Sequence, residues 1–184
     1  MYYESNILVS PRLDQVTKNQ LSHLSEALPS YRELEALIEM LEHDQPYLNS
    51  IAIGTSDDKS MINIAQALKT QLESRWYEIN GYDIYIHIVV WKDRVGSSKK
   101  YVKQFMSQNP DAWIILGSKL GFSSMIKRLY REEVWMADKT YCSSASLSQL
   151  MINMVGNKYF EGINNVNIHG EYRKVVNGKL IKIK

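Results

Sequence analysis

The chain reads as an α/β protein: three layers around a mainly parallel sheet, Rossmann-like or flavodoxin-like, with N-terminal helices and a C-terminal β-hairpin. Three stretches predict this. In residues 51–72 a short apolar run, Ile51, Ala52 and Ile53, stops at a Gly-Thr-Ser-Asp-Asp turn. From Met61 the apolar positions Met61, Ile62, Ile64, Ala65, Leu68 and Leu72 then recur at helical spacing. In the second stretch Ile84, Ile86, Ile88 and Val90 alternate with Tyr85, His87 and Val89, so the strand is apolar on nearly both faces, as in a sheet covered on both sides. The third is Ala112-Trp113-Ile114-Ile115-Leu116, closed by Gly117-Ser118. Strand, helix, strand, helix, strand over residues 50–118 implies right-handed crossovers.

Bulk properties bound the rest. A chain of 184 residues buries a sizeable core without staples, and its single Cys142 excludes an intrachain disulfide framework, which fits a reducing compartment. The 22 basic and 20 acidic side chains leave +2, which gives no argument for nucleic acid. No apolar run approaches the roughly 20 residues of a membrane span, and residues 1–20 lack the basic start and apolar core of a signal peptide. The expectation is a cytoplasmic protein with no membrane partner. The 12 Tyr, 4 Trp and 8 Met suit a core and partner surfaces.

Taken in order, residues 6–10 predict a short strand or an extended lead-in, and Leu13 to about Leu28 an amphipathic helix that Pro29 closes. Ser30 followed three residues later by Glu33 is a capping box for a second helix, with Leu34, Leu37, Ile38 and Leu41 as its apolar stripe. Helices are expected from about Lys59 to Trp76, Ser98 to Ser107, Ser123 to Tyr130 and Leu147 to Val155, with a short strand at Glu133 to Met136. Asn177-Gly178 between Tyr172–Val176 and Lys179–Lys184 is a type I′ hairpin signal. The expected division is a helical appendage over 1–49, an α/β core over 50–160 and a hairpin extension over 161–184.

The carboxyl ends of parallel strands are where small ligands dock, so the turns after them hold the candidate site. Gly54 permits close approach of backbone to a ligand, and Thr55 and Ser56 offer hydroxyls to a phosphate or ribose; the same residues also suit an ordinary turn and helix cap. Trp91 can stack on a base or plug the end of the sheet, and Asp93 with Arg94 can hold a ribose and a phosphate or form a surface ion pair. Ser97, Ser98 and Lys99 open the next helix, and Ser118 ends the third strand. Neither a G-x-x-x-x-G-K-[ST] phosphate loop nor a G-x-G-x-x-G fingerprint is present. His23, His43, His87 and His169 are too widely spaced for a visible metal set, and Cys142 has no nucleophile motif around it. Glu132 and Glu133 offer carboxylates near the third loop, or a solvated helix end.

The runs I-G-T-S-D-D-K-S-M-I-N-I-A-Q-A-L, V-V-W-K-D-R-V-G-S-S and D-A-W-I-I-L-G-S together resemble Toll/interleukin-1-receptor-like (TIR-like) nucleotide-binding domains of bacterial defence effectors, over residues 50–136. The resemblance implies that Gly54, Thr55 and Ser56 lie beside a nucleotide, that Trp91 and Asp93 flank it, and that Ser118 sits at the ligand end of the third strand. It also implies an R-[DN]-N-V-x-[FY]-E helix with a catalytic Glu, but here the run Arg131-Glu132-Glu133-Val134-Trp135-Met136 is followed by Ala137, with Asp138 one place on. The expectation is therefore binding of a nucleotide or nucleotide-derived small molecule, with NAD cleavage degenerate and no catalytic residue assigned. The cofactor is left unspecified. The alternative is a non-enzymatic accessory protein working through protein interaction or nucleic acid. A homo-oligomer or a protein partner is expected in either case.

Overall fold

A computed structural model describes Asp14, Val16, Thr17, Gln20 and residues 27–93 and 98–183. The strand predicted at 6–10 lies outside these residues, as do most of the helix predicted from Leu13 to Leu28, and Arg94 and Ser97. The elements run α1 (Tyr31–Asp44), β1 (Ser50–Ser56), α2 (Lys59–Asn80), β2 (Tyr85–Trp91), α3 (Lys99–Phe105) and β3 (Ala112–Ile115). They continue with α4 (Lys119–Leu129), β4 (Thr140–Cys142), α5 (Gln149–Val155), β5 (Asn164–Val166), β6 (Tyr172–Val176) and β7 (Lys179–Lys182).

These strands make one seven-stranded sheet in the order β2-β1-β3-β4-β5-β6-β7, confirming the three-layer, mainly parallel α/β class. β1 to β5 are parallel, and β6 and β7 add an antiparallel hairpin. β1 lies between β2 and β3, with Ser56 opposite Trp91 on one side and Gly54 opposite Ile115 on the other. The chain leaves β1 for β2, then returns to β3 on the far side. The gap between β1 and β3 is thus the topological switch point, where such sheets ordinarily take ligands. Among the described residues β2 and β7 are the two edges.

One helical layer is α1 and α2, whose Leu37, Ile38, Leu41, Leu68, Leu72 and Trp76 pack on Ile51, Ile53 and Ile114. The other is α3, α4 and α5, with Phe105, Phe122, Ile126 and Ile152 against Ala52, Trp113 and Ile115. Helix ends follow local chemistry. Ser30 and Glu33 make the reciprocal capping box on α1, Asp58 accepts from Ser60 and Met61 N–H at the start of α2, and Gly81 (φ 73°) ends α2 in the left-handed conformation. Arg75 of α2 clamps the two helices by reaching Glu35 at 3.1 Å and Glu42 at 2.7 Å on α1.

The segment Glu133 to Met136 is not a strand. It is a turn between α4 and a 3-10 helix at Ala137–Lys139, and the strand comes next, at β4. Its apolar side chains serve a different purpose: Trp135 is buried in the core, and its N–H donates to Glu132 O at 3.2 Å within the turn rather than to a strand. The hairpin turns on Asn177 (φ 52°) and Gly178 (φ 72°), both left-handed as a type I′ turn requires. The Glu161 carboxylate accepts from both turn N–H groups, at 2.8 and 3.1 Å. A Cβ on Gly178 would meet the Asn157 side chain at 2.5 Å. We expect Gly178→Ala to lower stability by about 1–3 kcal/mol in urea unfolding, since positive φ and crowding act together. An unchanged midpoint would show that the turn is not clamped.

Candidate functional site

The sequence places Gly54, Thr55, Ser56, Trp91, Asp93 and Ser118 at the carboxyl ends of β1, β2 and β3, and the fold gathers them there. What it does with the space between them is different. The Trp91 side chain, 1% exposed, lies across the switch point and fills it. A Cβ on Gly54 would sit 2.2 Å from the indole, on Gly117 2.4 Å and on Gly121 2.0 Å. Three glycines from two strand ends and one helix thus form a slot fitted to the ring, closed on one flank by Phe105, which meets it edge-on. Trp91 Nε1 donates to Asp93 Oδ1 at 3.1 Å, so the indole's polar atom is satisfied inside the plug.

The hydroxyls are also engaged inward. Ser56 Oγ accepts from Ser118 N–H at 2.7 Å, tying β1 to the β3 loop, and Ser118 Oγ accepts from Gly121 N–H at 3.1 Å as the cap of α4. Thr55 is fully buried and its Oγ1 has no hydrogen-bond partner among the described residues. Ser98 stands at the cap of α3 without a side-chain capping bond.

Glu132 and Glu133 do not approach this edge. α4 runs back along the sheet for 11 residues, about 16 Å at 1.5 Å per residue, and delivers them to the opposite edge. Ala137 and Asp138 immediately precede β4 and share that edge. Cys142 is fully buried and burial pushes its thiol up, away from the reactive thiolate. His87 is half-buried, its Nε2 3.2 Å from Gln104 O, and burial lowers its pKa, so it stays neutral. Among the described residues no group of acidic, histidine and cysteine side chains is placed to hold a metal ion.

Beyond β4 the carboxyl edge carries a buried pair of charged groups that the sequence reading missed. Glu33, read only as a capping residue, is 0% exposed. Its carboxylate accepts from Ser144 N–H at 2.5 Å and Ser144 Oγ at 3.2 Å, and reaches back to Ser30 N–H at 3.4 Å. Burial raises its pKa; the Ser144 and Ser30 hydrogen bonds and the nearby charge of Lys119 oppose that rise. Lys119 is itself buried and donates to Ala145 O at 3.2 Å. No motif marks this cluster; the one sequence signal is a Glu in a capping box, which explains one of the three hydrogen bonds to its carboxylate.

With the switch point sealed, open space lies one strand outward. A groove of about 530 Å³ runs along the β2 edge against α3, lined by Asp57, His87, Lys92, Lys100, Tyr101 and Gln104 among others. Asp57 and Lys92 follow directly on the paired residues Ser56 and Trp91. They project from adjacent strands, yet neither they nor Lys100 form an ion pair with another described residue. The groove therefore presents unpaired charge of both signs at the carboxyl edge.

No family model matches the sequence and no curated protein is significantly similar to it. The fold is similar to that of a structure described as an ABC transporter permease from the Pseudomonas fluorescens group, with TM-score 0.62 and 14% identity over 77% of this chain and 33% of that one. It is also similar to an extracellular ligand-binding receptor from Verminephrobacter eiseniae, with TM-score 0.58 and 14% identity over 76% and 38% of the two chains. A periplasmic binding protein type 1 from Bordetella pertussis gives TM-score 0.56 and 14% identity over 76% and 35%. This chain thus spans little more than a third of the length of these neighbours.

These neighbours correct the TIR-like resemblance, and with it nucleotide binding by such a domain, degenerate NAD cleavage and a defence role. The accessory reading through protein interaction or nucleic acid falls on the same finding, and so does the cytoplasmic setting, since the neighbours are extracellular and periplasmic proteins. The physical reason is that strand, Gly-Thr-Ser turn and apolar helix are what any doubly wound sheet needs at its first crossover. What the fold does resemble is that of structures described as an extracellular ligand-binding receptor and a periplasmic binding protein.

Proposed function

We propose that this chain binds a small zwitterionic solute, of the size of a free amino acid, in the groove beside β2. The observation that carries the reading is the set of unpaired opposite charges around a groove of about 530 Å³ at the carboxyl edge, a volume within the range of small-molecule sites. Asp57 meets the solute's ammonium group, and Lys92 and Lys100 meet its carboxylate. Tyr101 and the β2 side chains flank the body. In this reading Gly54, Thr55, Ser56, Trp91, Asp93 and Ser118 form the packed backing that fixes the two strand ends, rather than the contact surface. Small-molecule sites bury most of their ligand, and this groove leaves one side open. A second wall, from another domain or another copy of this chain, completes the site. The neighbours' type of binding protein and the one-third coverage support that arrangement.

Calorimetric titration with leucine, glycine and glutamate, and with glucose as an uncharged control, tests this. Binding of at least one amino acid and not of glucose is expected. Asp57→Asn and Lys92→Gln should each weaken it about tenfold or more, the worth of one charge-assisted hydrogen bond. Absence of binding to every zwitterion tried, or binding indifferent to both substitutions, would discard the assignment.

A further inference from the structure

The two helical layers carry opposite charge. α1 holds Glu33, Glu35, Glu39, Glu42 and Asp44 against Arg32, and α2 adds Lys59, Lys69 and Arg75 against Glu73 and Glu78, which leaves this layer net acidic. On the other side of the sheet, α3 and α4 hold Lys99, Lys100, Lys103, Lys119, Lys127 and Arg128 with no Asp or Glu at all. In a chain whose net charge is only +2, this is segregation, not excess. Lys119 is buried, so the remaining five face outward or lie half-buried on one layer.

Within that layer α3 and α4 enclose a second groove of about 480 Å³, lined by Lys99, Lys103 and Arg128 around an apolar floor of Val102, Met106 and Val134, with Glu132 at one end. Lys103 from α3 and Arg128 from α4 bring cationic side chains to this groove from both helices. The buried Nε of Arg128 has no hydrogen-bond partner among the described residues. Beside the groove Tyr130 (50%), Val134 (56%) and Met136 (42%) are exposed. Cations around an apolar floor, with exposed apolar side chains on the rim, match an anionic head group on an acyl chain better than a soluble anion, which has no use for the floor.

We infer that the α3–α4 face docks on an anionic lipid surface, with the Lys99, Lys103 and Arg128 groove receiving a phosphate head group. No described helix is long and apolar enough to cross a membrane; the association is peripheral. It does not depend on the solute reading, because Lys100 and Asp57 line the other groove.

Co-sedimentation of the full chain with phosphatidylglycerol-containing vesicles and with pure phosphatidylcholine vesicles tests the inference. Binding to the former alone at low ionic strength is expected, weakening as salt rises. Lys103→Gln and Arg128→Gln should each lower the partition about fivefold and the pair more steeply. Lys69→Gln, which makes the same charge change on α2, should leave it within about twofold, because that helix lies in the opposite layer. Lys103 is exposed, and circular dichroism confirms that each variant is folded. The inference is overturned if the chain stays in the supernatant at low salt. It is also overturned if inorganic phosphate displaces it from the vesicles as well as excess lipid does, which would make the groove a site for free anions, or if Lys69→Gln acts as strongly as Lys103→Gln.

Discussion

Replacing Trp91 by Ala is expected to cost about 3–5 kcal/mol in urea unfolding, among the largest effects of any single truncation in this chain, because it empties the slot at the centre of the sheet. Gly54→Ala in the wild-type background should also be costly, about 1–3 kcal/mol, since its Cβ would stand 2.2 Å from the Trp91 ring and both are held by paired strands. The informative result is the combination. Once Trp91 is Ala, the added methyl enters vacated space and the Phe105 edge, 3.0 Å away, can relax into the same room. Gly54→Ala should then cost less than about 0.5 kcal/mol, so the two substitutions are strongly non-additive. Additive costs would mean that the glycine serves the strand backbone and not the indole.

Glu33→Ala should cost about 2–4 kcal/mol, because it removes the α1 capping box and leaves Ser144 N–H without its acceptor. Glu33→Gln keeps the shape and one acceptor, and should cost less. The two variants also separate charge from geometry. Burial raises the Glu33 pKa above its ordinary value of 4.5, so the folded state binds a proton that the unfolded chain releases first. The corresponding contribution is fully present below the unfolded pKa and lost as pH rises through the folded one. The stability of wild type relative to Glu33→Gln should therefore increase as pH falls from neutral toward about 4.5, and level off below. A difference that shrinks over that interval would show that the Ser144 hydrogen bonds and Lys119 outweigh burial and that the carboxylate is the favoured form.

Much of the architecture was legible because it is written locally. The apolar period after Met61, the Ser30–Glu33 capping box and the Asn177-Gly178 turn each need only a few neighbouring residues, and each is found where its pattern places it. β4 and β5 were not legible: Thr140-Tyr141-Cys142 and Asn164-Asn165-Val166 are three residues each and show no alternation. They are strands because β3 and β6 hold them, which is tertiary information. The Glu133–Met136 expectation failed for the converse reason, since Val, Trp and Met favour a strand but sit where the chain must turn.

The site divides in the same way. That Gly54, Ser56, Trp91 and Ser118 share the carboxyl edge follows from strand ends in the sequence. That Gly54, Gly117 and Gly121 close on the Trp91 indole depends on contacts between residues far apart in the chain, which no local pattern records.

The edge position of β2 has a colloidal consequence. Seven residues without Pro, Gly or Lys, from Tyr85 to Trp91, present one row of backbone amides and carbonyls to the groove, with Tyr85 54% and Val90 38% exposed. The far edge, β7, carries Lys179 and Lys182, charges that discourage strand addition there. Among the described residues no strand pairs with this side of β2, so on the proposed reading a solute in the groove also screens it, and occupancy and resistance to aggregation rise together. The empty domain is the form that would cloud on concentration.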